Sequence, residues 1–462
     1  MKRRILPLSM LMFLSVLSLS AEVKVSYVPL KSETITSQPI KEYPQPTEFS
    51  GKSQLMTIYP DIKFQRLSGI GGCFNEMGGE ALEALSKAQQ AEILDALFNV
   101  DSGSAFTFCR MPIGASDFAF DAYSFADVAG DYEMKHFSLK RDEKHLLPYI
   151  KKALNINPEM RIFASPWSPP AWMKQSGFMD RGFEFRDKNG IIDDPKIYKA
   201  YALYFAKFVE EYRKRGVEVE RILVQNEQDS RAKFPSCRFL IDQMSMFVRD
   251  YMRPRFETEG LKTEIWAGTF RTAEEADGLR FAASREYQSH FDGMGIQYTR
   301  PQYIQDITTL APDLKLMHTE GACFNGKNND EQAQTRFEEV ANYINGGSEN
   351  FCYWNIILNE TGKSGWQWRQ NAMITIDRTA KSVTYNPDYA AMKLLSAFIK
   401  PGAVRVASFS RSGLISSEYG GSYYLVLQND GDKAIHYACN IAGREVKFEI
   451  PAQSLCGVKI NY

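Results

Sequence analysis

Arg221-Ile222-Leu223-Val224-Gln225-Asn226-Glu227-Gln228 is the stretch on which the reading of this chain turns. Three aliphatic residues in a row, Ile222, Leu223 and Val224, suit a strand buried on both faces, as in a parallel sheet. The run then stops at Gln225, Asn226 and Glu227, which have no aliphatic neighbour to hide behind. In an α/β barrel the chemistry sits where the strands end, on their carboxyl face. Leu314-Lys315-Leu316-Met317-His318-Thr319-Glu320-Gly321 repeats the pattern further along. Each carboxylate therefore ends its own buried strand, and two carboxylates facing across a cleft are the equipment for cleaving a glycosidic bond. Glu227 and Glu320 are the candidate catalytic pair.

Working outward from these two segments, the chain alternates strand and helix. Strands are expected at 65–74, 105–113, 161–166, 221–224, 263–267, 291–297, 314–317 and 350–357. Helices are expected at 79–98, 144–154, 195–215, 239–259, 273–284, 303–310 and 330–346. Eight strands separated by helices is the count for a closed (β/α)₈ TIM barrel. A doubly wound open sheet would want a glycine-rich phosphate turn after its first strand, and Gly69-Ile70-Gly71-Gly72-Cys73-Phe74 lacks the third glycine of that motif. Beyond a helix at 389–399, ended by Pro401-Gly402, the pattern changes to short alternating strands at 403–409, 413–418, 422–428, 434–439, 445–450 and 454–460. Tyr419-Gly420-Gly421 and Asn429-Asp430-Gly431-Asp432 punctuate them, as in an all-β sandwich. Residues 22–60 carry Pro29, Pro39, Pro44, Pro46 and Pro60 and read as an extended arm. The expected division is a signal peptide at 1–21, an arm at 22–61 pairing with the β-domain, a catalytic barrel at 62–390 and a C-terminal β-sandwich at 391–462.

Composition narrows the function classes. The chain has 462 residues, of which 44% are hydrophobic and 24% charged, and its net charge is -1. With no Lys/Arg run after the leader, nucleic-acid binding is not expected. Lys2, Arg3 and Arg4, the apolar residues 5–19 and Leu19-Ser20-Ala21 have the layout of a cleaved export signal, too short and too broken by Pro7 and serines to span a membrane. The expected location is periplasmic or extracellular, with no stable membrane insertion. The 7 cysteines are scattered without C-x-x-C spacing, which argues for reduced packing residues and against a zinc site or a disulfide framework. A monomer needing no metal or cofactor, with a carbohydrate as its partner, is the expectation.

The strand ends supply the remaining candidates. Arg110 is placed to hold a carboxylate, and Asp117 follows it on the same segment. Trp167, in Ser-Pro-Trp-Ser-Pro-Pro, suits a sugar-stacking platform. Asn226 precedes Glu227, and Gln297-Tyr298 end the sixth strand, from which Tyr298 would hold Glu320. His318 has no second histidine at ligand spacing and reads as an orienting group. Trp354 and Asn355 close the series. A serine hydrolase would need Gly-x-Ser-x-Gly, which does not occur.

Five of these segments resemble glycoside hydrolase family 30, which includes glucosylceramidases and microbial β-1,6-glucanases. They are Gln-Asn-Glu at 225–227, His-Thr-Glu-Gly-Ala-Cys at 318–323, Arg-Met-Pro-Ile-Gly-Ala-Ser-Asp at 110–117, Ala-Ser-Pro-Trp-Ser-Pro-Pro-Ala-Trp-Met-Lys at 164–174 and Tyr-Trp-Asn-Ile-Ile-Leu-Asn at 353–359. The resemblance implies a retaining β-glycosidase on a barrel fused to a β-sandwich. It also implies Glu227 as acid/base, Glu320 as nucleophile, and Asp117, Trp167, Asn226 and Trp354 around the non-reducing sugar. Two positions depart from the family pattern: Gln228 stands where Pro is usual, and Glu76 where many members have Asp. The first expectation is a secreted enzyme acting on β-glucosides, with β-1,6-linked glucan ahead of glucosylceramide. β-Fucoside, β-xyloside and β-galactoside on the same scaffold are the alternatives, as is a non-catalytic carbohydrate-binding protein.

Overall fold

The computed structural model describes residues 21–49, 51–323 and 325–461. The signal expected at 1–21 thus lies, except for Ala21, outside the described residues. Eight parallel strands form one sheet: β1 (Gly69–Cys73), β2 (Phe108–Pro112), β3 (Arg161–Ser165), β4 (Arg221–Leu223), β5 (Glu264–Phe270), β6 (Gly293–Ile296), β7 (Leu316–His318) and β8 (Asn350–Asn355). Each lies beside its sequence neighbour, with Cys109 opposite Ile162 and Ile222 opposite Ile265, and β8 returns to β1 with Phe351 opposite Ile70. The sheet is closed between β7 and β8. There a bridge pairs Leu316 with Ser348, and the Asn350 side chain continues the seam by bonding both the N–H and the C=O of His318, at 3.0 and 2.9 Å.

The glycines of β1 serve this closure and not a phosphate turn. A Cβ on Gly71 would lie 1.9 Å from the Phe108 carbonyl oxygen, so only glycine lets β1 and β2 approach. At the amino ends of the strands Arg221 fills the barrel floor. Its guanidinium lies 4.9 Å from the Phe108 ring and 4.5 Å from the Trp266 ring, and pairs with Glu264 at 2.9 Å.

The outer helices follow from apolar stripes and caps. Pro195–Lys214 starts on the Asp194 side chain, which accepts from Lys196 N, and buries Tyr198, Tyr201, Phe205, Phe208 and Tyr212 against the sheet. Three helices expected to be continuous are divided. Ser86 stops the first with a capping box to Gln89, giving Glu76–Glu83 and Lys87–Phe98. Pro254, which lacks an N–H, follows a π-turn at Val248–Met252 that separates Ile241–Phe247 from Arg253–Thr258. Thr335 separates Asp330–Gln334 from Arg336–Asn345.

The second unit is a nine-stranded, mostly antiparallel sheet around its own core, which includes Val25, Ile58, Leu425, Phe448 and Val458. Strands Val404–Ser410, Ile415–Tyr419, Ser422–Asn429, Ile435–Ile441, Arg444–Ile450 and Ser454–Asn461 correspond to the six read from the C-terminal sequence. The chain's first strands complete it. Glu22–Pro29 pairs antiparallel with Ser454–Asn461. Gln54–Arg66 lies between Ile435–Ile441, to which it is parallel, and Val404–Ser410. This strand runs past residue 61, and the barrel begins only at Gly69. A small sheet of Ile357–Asn359, Ile374–Asp377 and Ser382–Tyr385, absent from the sequence reading, follows β8. All seven cysteines are buried and free. No described helix is long and apolar enough to cross a membrane.

Candidate active site

The carboxyl ends of β2 to β7 open into a cavity of about 490 Å³ lined by Asp117, Trp167, Asn226, Glu227, Tyr298 and Glu320 from the expected set. Arg271, Gln370 and Trp368 join them, along with Ser230, Arg231, Ala232 and Phe234 of the loop after β4.

Two backbone turns aim the central groups. Glu227 and Tyr298 each adopt a positive φ, 46° and 50°, at the first turns past β4 and β6. A non-glycine residue held there costs about 1–3 kcal/mol, and it persists where the surroundings over-determine it. For Glu227 they do: its N–H donates to Thr269 Oγ1 at 3.1 Å, and its C=O accepts from Ser230 N at 2.7 Å. Thr269 is presented by a bulge. Gly268, at φ 94°, shifts the register of β5 between Ala267 and Phe270 and lets the strand run on toward Arg271.

Glu320 is held from three sides. Arg110 donates to its Oε2 at 2.8 Å, the Tyr298 hydroxyl to its Oε1 at 2.6 Å, and Gln297 Nε2 lies 3.3 Å from Oε2. The same Gln297 nitrogen lies 3.4 Å from Glu227 Oε1, so one amide spans both carboxylates. Thr319 Oγ1 fixes that amide by donating to Gln297 Oε1 at 2.7 Å, which leaves the NH₂ facing the acids. Arg110 is fully buried and also bonds Asn226 Oδ1 at 2.7 Å and Ser165 Oγ at 2.6 Å. Its guanidinium lies 4.6 Å from the Trp167 ring. Glu227 has a cation of its own: Arg271 NH1 stands 3.2 Å from its Oε2.

Burial drives the titration of the site. It pushes Glu320 up to about 7, with Arg110 pulling down and the charge of Glu227 pushing up. Asp117 is raised well above the carboxylate range, first by burial and then by the charges of Glu320 and Glu227. Its Oδ1 is buried at the cavity wall without a hydrogen-bond partner among the described residues. Burial, and next Glu320, lift the Tyr298 phenol far above its usual range, so it remains a donor to Glu320 at any working pH.

Three expected residues stand elsewhere. Trp354 does not line the cavity but stacks behind Trp167, with ring centroids 5.2 Å apart and planes 29° from parallel. Arg110 lies beneath the lining, as a carboxylate holder should. His318 faces the β7–β8 seam: its Nδ1 accepts from Cys352 N at 3.1 Å and its ring stacks on Phe351 at 4.1 Å. Burial pushes its imidazole well below the usual range, so it stays neutral. Glu76 is also off the cavity, buried against Arg141 at 2.5 Å. Sequence reading passed over Gln297 as a site residue, and over Arg271, Phe234 and Trp368. The signal for the last was a pair of tryptophans, Trp366 and Trp368, in an otherwise polar loop.

This geometry agrees with what the chain resembles among known proteins. Residues 67–262 match the glycosyl hydrolase family 30 TIM-barrel domain. A Caenorhabditis elegans relative that bears a glucosylceramidase name is 28% identical over 76% of this chain and 70% of its own length. An endo-1,6-β-D-glucanase of Neurospora crassa is 28% identical over 45% of this chain and 43% of its own. The solved structure of an endo-β-1,6-glucanase superposes with a TM-score of 0.83 over 95% of this chain and 99% of that one, at 21% identity, a likeness of fold. With five motifs on the ends of the barrel strands and two carboxylates spanned by one amide, residues 67–262 carry a glycosyl hydrolase family 30 TIM-barrel domain, and the chain is a glycoside hydrolase.

Proposed function

We propose that this chain is an exported, retaining β-glucoside hydrolase with Glu320 as nucleophile and Glu227 as acid/base, and that β-1,6-linked glucan is its substrate. The observation that carries the mechanism is Gln297, whose Nε2 lies within 3.4 Å of one oxygen of each glutamate. A single amide spanning both acids suits the roughly 5–5.5 Å carboxyl separation of retaining enzymes and not the wider gap that an inverting enzyme keeps for water. The asymmetry of the donors supports the roles. Arg110, Tyr298 and Gln297 all converge on Glu320 and favour its anion, the form that attacks the anomeric carbon. Glu227 gives its proton to the departing oxygen and then takes one from water. Asn226 is held by Arg110 and suits the sugar 2-hydroxyl, and the unpartnered Asp117 suits a second hydroxyl. Trp167 supplies an apolar face.

The rim bears on the choice of substrate. Phe234 and Trp368, with ring centroids 6.1 Å apart, stand on the side of the loop that follows Glu227, where the leaving group departs. A second sugar stacks on such rings, which favours a glucan. The names of the C. elegans and N. crassa relatives keep glucosylceramide and β-1,6-glucan in view together. Product analysis on β-1,6-glucan, other β-glucans, glucosylceramide and aryl β-fucoside, β-xyloside and β-galactoside decides: β-1,6-glucan should be cleaved at least tenfold faster than any other. Export predicts a mature N-terminus at Glu22, read by sequencing of the exported protein.

The roles are tested by azide rescue on an activated aryl β-glucoside. Glu227→Ala should form the glycosyl-enzyme and stall, and azide should restore turnover with a β-glucosyl azide as product. Glu320→Ala should give only the α-azide. An α-azide from Glu227→Ala would reverse the assignment.

A further inference from the structure

The cation beside the acid/base poses a chemical problem. A guanidinium 3.2 Å from Glu227 places a fixed positive charge beside a carboxyl that acts as base in the second half-reaction. The first half-reaction needs the proton to be in place, and an unopposed Arg271 works against it.

Arg271 is not unopposed. Its Nε lies 2.8 and 3.1 Å from the two carboxylate oxygens of Glu274, and its backbone N–H donates to Glu274 Oε2 at 3.2 Å. Glu274 has a side chain only 1% exposed, sits in the turn before the helix Glu275–Ala283, and is not part of the cavity lining. An acid this deeply buried is retained at a cost unless its partner needs it.

We propose that Glu274 is a positioning residue for the acid/base step, sharing Arg271 with Glu227 so that the guanidinium orients the catalytic carboxyl without holding it ionised. The proposal rests on Glu227 being the acid/base. The other charged and titratable groups around Glu227 are Glu320 and Asp117 across the cavity, the Tyr298 phenol and the Arg231 guanidinium on the cavity lining, with Asp229 bearing on Arg271. Tyr303, from the helix Pro301–Leu310, is the titratable group facing Glu274 across the packing interface. Burial pushes the carboxyl of Glu274 up to about 7, against the pull of Arg271. Above that pH Glu274 is charged and takes its share of Arg271, in the range where Glu227 has to keep its proton.

The test is the pH profile of kcat/KM for phenyl β-glucoside, whose leaving group needs a proton, beside 2,4-dinitrophenyl β-glucoside, whose leaving group does not. Glu274→Gln frees the charge of Arg271 to act on Glu227. The basic limb for the phenyl substrate should fall by about one pH unit, and the phenyl-to-dinitrophenyl ratio of kcat/KM at pH 8 by about tenfold. Arg271→Gln should move the basic limb the other way, and adding Glu274→Gln to it should move the limb no further. Where Glu274→Gln does not fold, Arg271→Gln alone keeps the proposal open to refutation: a basic limb that does not rise overturns it. A limb that stays in place, or equal losses on both substrates, overturns the proposal and leaves Glu274 a structural residue. Glu227→Ala is the reference. If it fails to discriminate between the two substrates, the acid/base assignment falls. If it discriminates and Glu274→Gln does not, only the role of Glu274 falls.

Discussion

Arg110 governs how Glu320 behaves, and the pH dependence of the enzyme should report it. As the proposed nucleophile, Glu320 would have to be ionised to attack, and burial lifts its carboxyl to about 7, so kcat/KM should decline as pH falls through that value. Arg110 pulls in the opposite direction. Arg110→Gln should therefore move the acid limb upward and lower kcat/KM at pH 6 at least about 100-fold, the scale of losing a buried electrostatic donor. An acid limb that stays in place would show that Arg110 acts on packing alone. At this scale the sequence was legible where a polar residue ends a buried strand: Asp117, Trp167, Asn226, Glu227, Tyr298 and Glu320 all line one cavity. His318 and Trp354 also end strands, yet a residue's position along a strand does not say which way it faces. His318 turns to the seam because Cys352 N donates to its ring, and Trp354 is covered by Trp167. Arg271 escaped notice because Gly268-Thr269 looks like the end of β5, whereas the bulge at Gly268 carries the strand on.

The loops after β3 and β4 are one device, tied by a single ammonium. Lys174 is 2% exposed, and its Nζ donates to Met179 O at 3.2 Å, Asn189 Oδ1 at 2.8 Å and Ser236 O at 2.5 Å. It thereby fixes the loop whose residues 230–232 and Phe234 form the cavity rim. Lys174→Met removes a charged donor from three buried acceptors and should cost roughly 3 kcal/mol in urea denaturation. KM for an oligosaccharide should rise more than KM for an aryl glucoside, because only the former reaches the rim. Wild-type stability would mean that the acceptors find other donors. Helices were legible as apolar stripes, whereas their breaks were not. Ser86 and Thr335 interrupt their helices without interrupting the apolar pattern, because both halves still cover the same sheet. The short sheet of Ile357–Asn359, Ile374–Asp377 and Ser382–Tyr385 has strands of three and four residues, too brief for alternation to register.

On the scale of the molecule, the change from helical rhythm to alternating strands near residue 400 was legible, as was the pairing of the N-terminal arm with the β-domain, but which strands the arm would join was not. Nothing local announces that Gln54–Arg66 will pair with Val404–Ser410 and, in parallel, with Ile435–Ile441. These pairings make the β-domain inseparable from the barrel, and truncation should reveal it. The helix Pro387–Phe398 buries its apolar residues against barrel and sheet alike, and Phe398 packs so closely on Gly457 that a Cβ there would lie 2.2 Å from the ring. A chain ending at Pro401 loses every partner of Gln54–Arg66 and of Glu22–Pro29 except Lys41–Tyr43. It would present a thirteen-residue strand with open edges on which Leu55, Ile62 and Phe64 are exposed even in the intact protein. Such an edge pairs with other chains. The truncated protein should therefore be recovered as aggregate, although every cavity-lining residue precedes Pro401. Light scattering and kcat/KM on the soluble fraction measure this, and a monomeric truncation with wild-type kcat/KM would show that the barrel stands alone.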